Sequence, residues 1–245
     1  MPTSAIAGDA ATVVILRDGS GPEGAAGVEV LLLERPGRGS FAGAWAFPGG
    51  RVDPGDALPG EPPLPGEDDG GAPALAAPLS VCRAAARETL EETALVIAAD
   101  DLVPLSCWVP PQRAEKRLRT WFFLAADPGG EISLNEAEHV AFVWLSPAAA
   151  LERHAAGEMI LLPPTWVTLH GLLGAETAAL ALAEAGARAL TRFASYQLFG
   201  EEGRIEAVLW DGDAQYGDPE AVGEARHRLT LTALPWVYER TAPRD

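Results

Sequence analysis

Two apolar runs near the start of the chain predict strands. Residues 11–16 (ATVVIL) and 28–34 (VEVLLLE) are rich in aliphatic and β-branched side chains. Arg17-Asp18-Gly19 closes the first, and Arg35-Pro36-Gly37-Arg38-Gly39 closes the second. Such runs bounded by turn residues are strand signals, and the turn-rich gap between them predicts a hairpin. Further strands are predicted over 102–109, 120–125 (TWFFLA) and 140–145, with extended segments over 204–210 and 228–238. Helical spacing begins after Ser80, a suitable N-cap, and runs over 81–94. A second helix is predicted from Ser146-Pro147 through about His154. The last third of the chain adds helical runs at 165–173 and 175–194, the latter apolar nearly all round. Residues 19–27 and 57–78 follow neither period. The second of these is dense in proline and glycine and reads as a surface insertion. No internal repeat interrupts this order.

Chemistry concentrates on the helix over 81–94. The order Arg87-Glu88-Thr89-Leu90-Glu91-Glu92 places Glu91 and Glu92 three and four residues after Glu88, so three carboxylates share one face. Like charges at that spacing cost roughly 0.2–0.5 kcal/mol per pair. They also sit in the later half of the helix, where its macrodipole disfavours anions. A hard cation with oxygen ligands relieves both penalties. A solvated acidic face is the plain alternative. Upstream, residues 47–56 read FPGGRVDPGD. A Gly-Gly pair there permits a tight turn and a close approach of the main chain to a ligand.

Taken together these stretches resemble the Nudix hydrolase signature, Gly-x5-Glu-x7-Arg-Glu-x-x-Glu-Glu-x-Gly. Gly50 stands at the first glycine and Asp56 at the first acid, and Arg87, Glu88, Glu91 and Glu92 match the second half. Three departures are visible. Thirty residues separate Asp56 from Arg87 where the family has seven, so 23 are inserted. Thr89 replaces an apolar residue, and its hydroxyl is expected to bond back to the Ala85 carbonyl. Ala94 replaces the closing glycine, where a left-handed cap costs a non-glycine roughly 1–2 kcal/mol, so the helix is expected to end differently there. None of the three removes an acid of the motif.

The resemblance implies an α/β fold, a Nudix-type α/β/α sandwich with a mixed sheet, over 1–155 with the insertion at about 57–79. A mainly helical C-terminal extension, 156–245, is expected to pack on the same domain. The resemblance also implies hydrolysis of a diphosphate linked to another moiety, with Mg²⁺ or Mn²⁺ as cofactor. Glu88, Glu91 and Glu92 would hold the cation, joined by the Gly49 carbonyl. Arg87 and Asp56, next to Gly50, would orient the site through a forked arginine–carboxylate pair. The general base stays open between Glu88 and an acid outside the motif, Glu136 or Glu138.

A longer similarity points to the larger Nudix proteins that include a peroxisomal coenzyme A diphosphatase. It rests on Trp108-Val109-Pro110-Pro111, on residues 117–123 (RLRTWFF) and on Gly157 with Leu162-Pro163-Pro164-Thr165. It implies coenzyme A or acyl-coenzyme A as substrate, with ADP-ribose or another nucleoside diphosphate derivative as the alternative. A Nudix-fold module that binds a nucleotide without cutting it is a third reading, disfavoured by the presence of all three helix glutamates.

Composition adjusts this picture at a few points. With 245 residues, 48% of them apolar, the chain can bury a good core. A net charge of −17 argues against a nucleic-acid surface. Against that acidity, Arg113, Lys116, Arg117 and Arg119 form a basic cluster that suits anionic substrate groups, and Arg35 and Arg38 suit phosphates. The partner expected is therefore a small diphosphate, with no nucleic acid and no membrane; a homodimer stays open. Cys82 and Cys107 are expected as buried free thiols in a cytoplasmic protein, since no leader or membrane-length run is present. The four histidines, His139, His154, His170 and His227, show no ligand spacing and receive no role.

Overall fold

In the computed structural model, which describes residues 5–19, 27–39, 41–62, 64, 77–114 and 117–241, the two N-terminal runs pair as a hairpin. Strand β1 is Gly8–Asp18 and β2 is Val28–Glu34, antiparallel with Leu16 opposite Val30. The chain continues through β3 (Ala44–Ala46), β4 (Gly49–Arg51) and a 3-10 turn at Pro54–Asp56. Helix α1 is Leu79–Thr93, and β5 (Val103–Val109), β6 (Leu118–Ala126) and β7 (Ala141–Leu145) follow. Helix α2 is Pro147–Ala155, started by Pro147 and capped by the Ser146 hydroxyl, which accepts from the Ala149 N–H.

The last third of the chain is mixed rather than mainly helical. It holds β8 (Ile160–Leu161), α3 (Pro163–Gly171) and α4 (Ala178–Gly186). It then forms β9 (Thr191–Ala194), β10 (Tyr196–Phe199), β11 (Ile205–Leu209), β12 (His227–Thr230) and β13 (Val237–Arg240). The expected helix over 175–194 stops at Gly186, and residues 191–194 pair in parallel with β5. Thr191 and Phe193 suit a strand once an open edge is beside them, and the Phe193 ring stacks on Trp108 at 4.0 Å.

β1 is the centre of a nine-stranded mixed sheet running β8-β3-β2-β1-β6-β5-β9, with β4 paired to β1 and β7 to β2. It lies parallel to β6 from Gly8 opposite Leu118 to Leu16 opposite Ala126, and this long pairing extends it beyond the apolar run. Both faces are buried. Val13 and Ile15 pack with Val81, Ala84 and Ala85 of α1. Val14 and Leu16 belong to the cluster formed with Ala150, Trp166, Leu169 and Ala181 of α2, α3 and α4. That is the α/β/α sandwich expected. A separate four-stranded antiparallel sheet, β10-β11-β12-β13, completes the described residues.

Three local expectations on α1 are corrected. Pro78 occupies the N-cap, and Ser80 sits buried inside the first turn. Ala94 takes the left-handed conformation after all, with φ 62°, and its N–H reaches the Leu90 carbonyl. The Thr93 hydroxyl eases this end: it donates to the Thr89 carbonyl at 2.6 Å and accepts from the Leu95 N–H at 3.2 Å. Thr89 is fully buried, and its own hydroxyl finds no hydrogen-bond partner among the described residues. The expected bond to Ala85 is absent. Cys82 and Cys107 are free and buried, as expected, and burial pushes the Cys107 thiol up to about 12. Among the described residues no helix is long and apolar enough to cross a membrane.

Thr89→Val removes an unsatisfied buried hydroxyl at nearly constant shape. It should raise stability by about 1 kcal/mol, read from urea denaturation. A loss of stability would show that the hydroxyl has a partner.

Burial also holds His154 and His227 below the ordinary histidine pKa, against backbone hydrogen bonds to Met159 and Asp211 that work the other way. Both rings therefore fold neutral, whereas the unfolded chain takes up protons below about pH 6.5. Stability should be full above that pH and decline as pH falls toward the folded-state values. Denaturation midpoints at pH 7.5 and 5.5 check this, and His227→Gln should flatten the slope between them.

Candidate active site

The Gly-Gly turn is built against β1. Gly49 lies opposite Thr12 and Gly50 opposite Ala11. Gly49 has φ 151°, and a Cβ there would fall on the Ala11 carbonyl and 2.8 Å from the Thr12 Cβ. The Thr12 hydroxyl fixes the turn by donating to the Pro48 carbonyl at 2.7 Å. A Cβ on Gly50 would lie 2.6 Å from Glu88 Oε1, so the helix carboxylate rests directly on the glycine. The Gly49 N–H donates to Glu92 Oε2 at 2.7 Å. Each glycine thus receives one carboxylate of α1.

Arg87 ties the turn to the helix. Its Nε and Nη2 fork onto Asp56 Oδ1 and Oδ2, both at 3.0 Å. Nη2 also donates to the Arg51 carbonyl at 3.0 Å. Nη1 donates to Glu88 Oε1 at 2.9 Å and to Glu91 Oε2 at 3.2 Å. Asp56 is buried, and burial alone would raise its pKa. The Arg87 fork and the Asp53 N–H outweigh it and hold the carboxyl below the usual range. Arg87 is pushed up in turn, first by its bond to Asp56. Glu88 moves the other way: burial, with Glu92 and Glu91 beside it, raises its pKa against the pull of Arg87. Arg83 adds a second tie, donating from Nε to the Asp56 carbonyl at 2.6 Å and pairing with Glu61. Residues 63 and 65–76 of the insertion lie outside the described residues.

The three acids of α1 differ in setting. Glu92 is buried, Glu88 partly so, and the Glu91 side chain is 54% exposed. Glu92 faces the loop before β7. There the Asn135 N–H donates to the Glu92 carbonyl at 3.1 Å, and the His139 N–H donates to the Asn135 carbonyl at 2.9 Å. His139 Nε2 consequently sits 2.9 Å from Glu92 Oε1. Glu92, Glu138 and His139 are a group whose ligand-type atoms all lie within 4.8 Å of one another. Glu136 is exposed and outside this group. His139 is the residue the sequence reading misses; its neighbour Glu138, already singled out, is the one sign of it in the chain.

The expected basic cluster is divided between the core and the surface. Arg119 is buried, and its Nε and Nη2 donate to Asp9 at 2.6 and 3.0 Å. Trp121 Nε1 donates to the same carboxylate at 2.8 Å. Arg117 is buried against the Pro110 carbonyl. Arg119 points inward from β6 and Arg117 from the residue before it, where a buried charge needs its partner. Arg113 is exposed and lies 4.9 Å over the Phe199 ring. Lys116 lies outside the described residues. Arg35 is half-buried just past β2, and Arg38 is exposed in the following turn.

The site is thus an acidic helix laid on a Gly-Gly turn at the centre of a mixed α/β sheet. Residues 80–163 match the family model described as NUDIX domain. The match opens at α1, so the Gly-Gly turn and Asp56 precede it and join it through Glu92 and Arg87. No curated protein matches the chain. Among solved structures, a NUDIX hydrolase from Alicyclobacillus acidocaldarius is 26% identical, with a TM-score of 0.59 over 75% of this chain and 97% of that one. A MutT NUDIX hydrolase from Burkholderia pseudomallei is 24% identical, with a TM-score of 0.43 over 66% and 94%. An Ap4A hydrolase from C. elegans is 22% identical, with a TM-score of 0.41 over 72% and 99%. The chain carries a Nudix hydrolase domain, and its fold is the Nudix fold.

Arg87→Lys keeps the charge but loses the fork. It should lower stability by about 2 kcal/mol, because a buried carboxylate loses a bidentate partner. Denaturant midpoints check this; an unchanged midpoint would mean that Asp56 is held by its backbone bonds alone.

Proposed function

We propose that the chain hydrolyses a diphosphate bond in a nucleoside diphosphate derivative, using a divalent cation, Mg²⁺ or Mn²⁺, held beside α1. The observation that carries this reading is the docking of α1 on the Gly-Gly turn, with Glu92 on the Gly49 N–H and Glu88 on Gly50. Glu88, Glu91 and Glu92 would hold the cation, with the Gly49 carbonyl as a further oxygen. The donor set fits: hard oxygens in a half-buried setting, next to a buried imidazole that makes no hydrogen bond among the described residues. When bound, the cation offsets charge on the diphosphate oxygens and acidifies the attacking water.

The side chains do the rest. Arg87 holds Asp56, and with it the turn, while its other nitrogen keeps Glu88 and Glu91 in place. Glu88, whose pKa is raised by burial and by its acidic neighbours, accepts the proton of the attacking water. Glu138 is the second candidate for that role, and the exposed Glu136 is set aside. Residues 156–245 act as part of the same unit, because they supply β8 and β9 to the sheet. Two buried free thiols fit a reducing, cytoplasmic setting.

Coenzyme A is one member of this substrate class, proposed from the stretches around Trp108, residues 117–123 and Pro163. Several of those residues serve the core: Trp108 stacks on Phe193, and Arg119 and Trp121 share Asp9. Of the Arg113, Lys116, Arg117 and Arg119 cluster proposed for a 3′-phosphate, Arg117 and Arg119 are buried and do not support such a subsite, which leaves exposed Arg113 among the described residues. ADP-ribose stands beside coenzyme A as an equal candidate.

Glu92→Gln should reduce turnover by on the order of 10²–10³-fold in a folded protein, by analogy with other groups that stabilise transition-state charge. Near-normal turnover would remove Glu92 from the machinery. Measured under one Mg²⁺ concentration, kcat/KM for coenzyme A and dephospho-coenzyme A should agree within about fivefold, since exposed charges contribute little. A larger preference for coenzyme A would restore a dedicated phosphate subsite, and ADP-ribose in the same panel ranks the class.

A further inference from the structure

We infer that His139 is a metal ligand which, with Glu92 and Glu138, biases this site toward a cation that accepts nitrogen, such as Mn²⁺, over Mg²⁺. The inference rests on the proposal that α1 holds a divalent cation. The donor atoms that converge within 4.8 Å are those of Glu92, Glu138 and His139, a set with a nitrogen in it. The three acids of α1 do not form such a set.

His139 is 4% exposed, and neither ring nitrogen makes a hydrogen bond among the described residues. A buried imidazole left in that state loses its hydration with nothing in return. Its Nε2 lies 2.9 Å from Glu92 Oε1, but in a direction that fails hydrogen-bond geometry. The other Glu92 oxygen already accepts from the Gly49 N–H. Two ligands about 2.1 Å from one cation, on perpendicular bonds, lie about 3 Å apart. The spacing of Nε2 and Oε1 is that of neighbouring ligands.

The loop is placed by its backbone, so the ring is free for this task. Asn135 is bonded to the Glu92 carbonyl, and its side-chain oxygen accepts from the Ala137 N–H at 3.2 Å. The Val140 N–H donates to the Glu34 carbonyl at 3.0 Å. Helix α1 and strand β2 thus fix both ends of the segment. An imidazole ligand favours first-row transition ions, whereas Mg²⁺ keeps to oxygen and water.

The test titrates the metal-stripped full chain with Mn²⁺ and with Mg²⁺ by calorimetry. It then records the electron spin echo of bound Mn²⁺ for ¹⁴N coupling. Wild type should bind Mn²⁺ more tightly than Mg²⁺ and show imidazole nitrogen. His139→Gln, which offers oxygen at a similar reach, should lose the coupling and bind Mn²⁺ roughly tenfold more weakly, with Mg²⁺ little changed. Equal weakening of both cations would make His139 a positioning partner of Glu92 and overturn the inference, as would an absent coupling in wild type. If His139→Gln does not fold, the wild-type coupling decides alone. Failure of wild type to bind either cation would instead overturn the proposal beneath it.

Discussion

The five N–H groups of Arg87 are the constraint on which the site depends. A guanidinium has five donors, and here all are engaged, by Asp56, Arg51, Glu88 and Glu91. Two of these partners belong to the turn and two to the helix. The long insertion separates those halves in sequence, and one side chain rejoins them in space. The guanidinium favours the charged form of both Asp56 and Glu88, with different outcomes. Asp56 stays ionised despite burial, while burial and the neighbouring Glu92 and Glu91 raise the Glu88 pKa against the pull of Arg87.

The backbone imposes a second constraint. Gly49 and Gly50 admit two close approaches, one to β1 and one to the Glu88 carboxylate, that a Cβ would block. Both depend on β1 being central and buried on each face. Side chains alternate across it, odd positions toward α1 and even positions toward the later helices. The site is therefore anchored to a strand that is central in its sheet and buried on both faces.

What could be read from sequence divides along the range of the interaction. The run 28–34 became β2 with the same limits, and Ser146-Pro147 opened α2, because both signals are local. The acids, the arginine and the glycines of the motif carried their own spacing. The alanine-rich stretch 175–194 misled because alanine leaves the outcome to tertiary context, and the open edge of β5 claimed residues 191–194. Arg117 and Arg119 looked like a basic loop, yet the partner that buries Arg119 is Asp9, at the far end of the domain's sequence. His139 was invisible for the same reason: only the fold brings it to Glu92. Thr89 illustrates the converse, since a hydroxyl that can bond locally does not do so here.

The position of β8 and β9 at the two ends of the main strand order bears on synthesis at the ribosome. Every acid of the motif emerges before either of them. A nascent chain that has reached the end of α2 already holds every acid of the candidate site, but its sheet still presents the bare rims of β3 and β5. Such rims are templates for pairing with other chains. The last third of the sequence thus covers both rims of the sheet only after the motif acids have emerged.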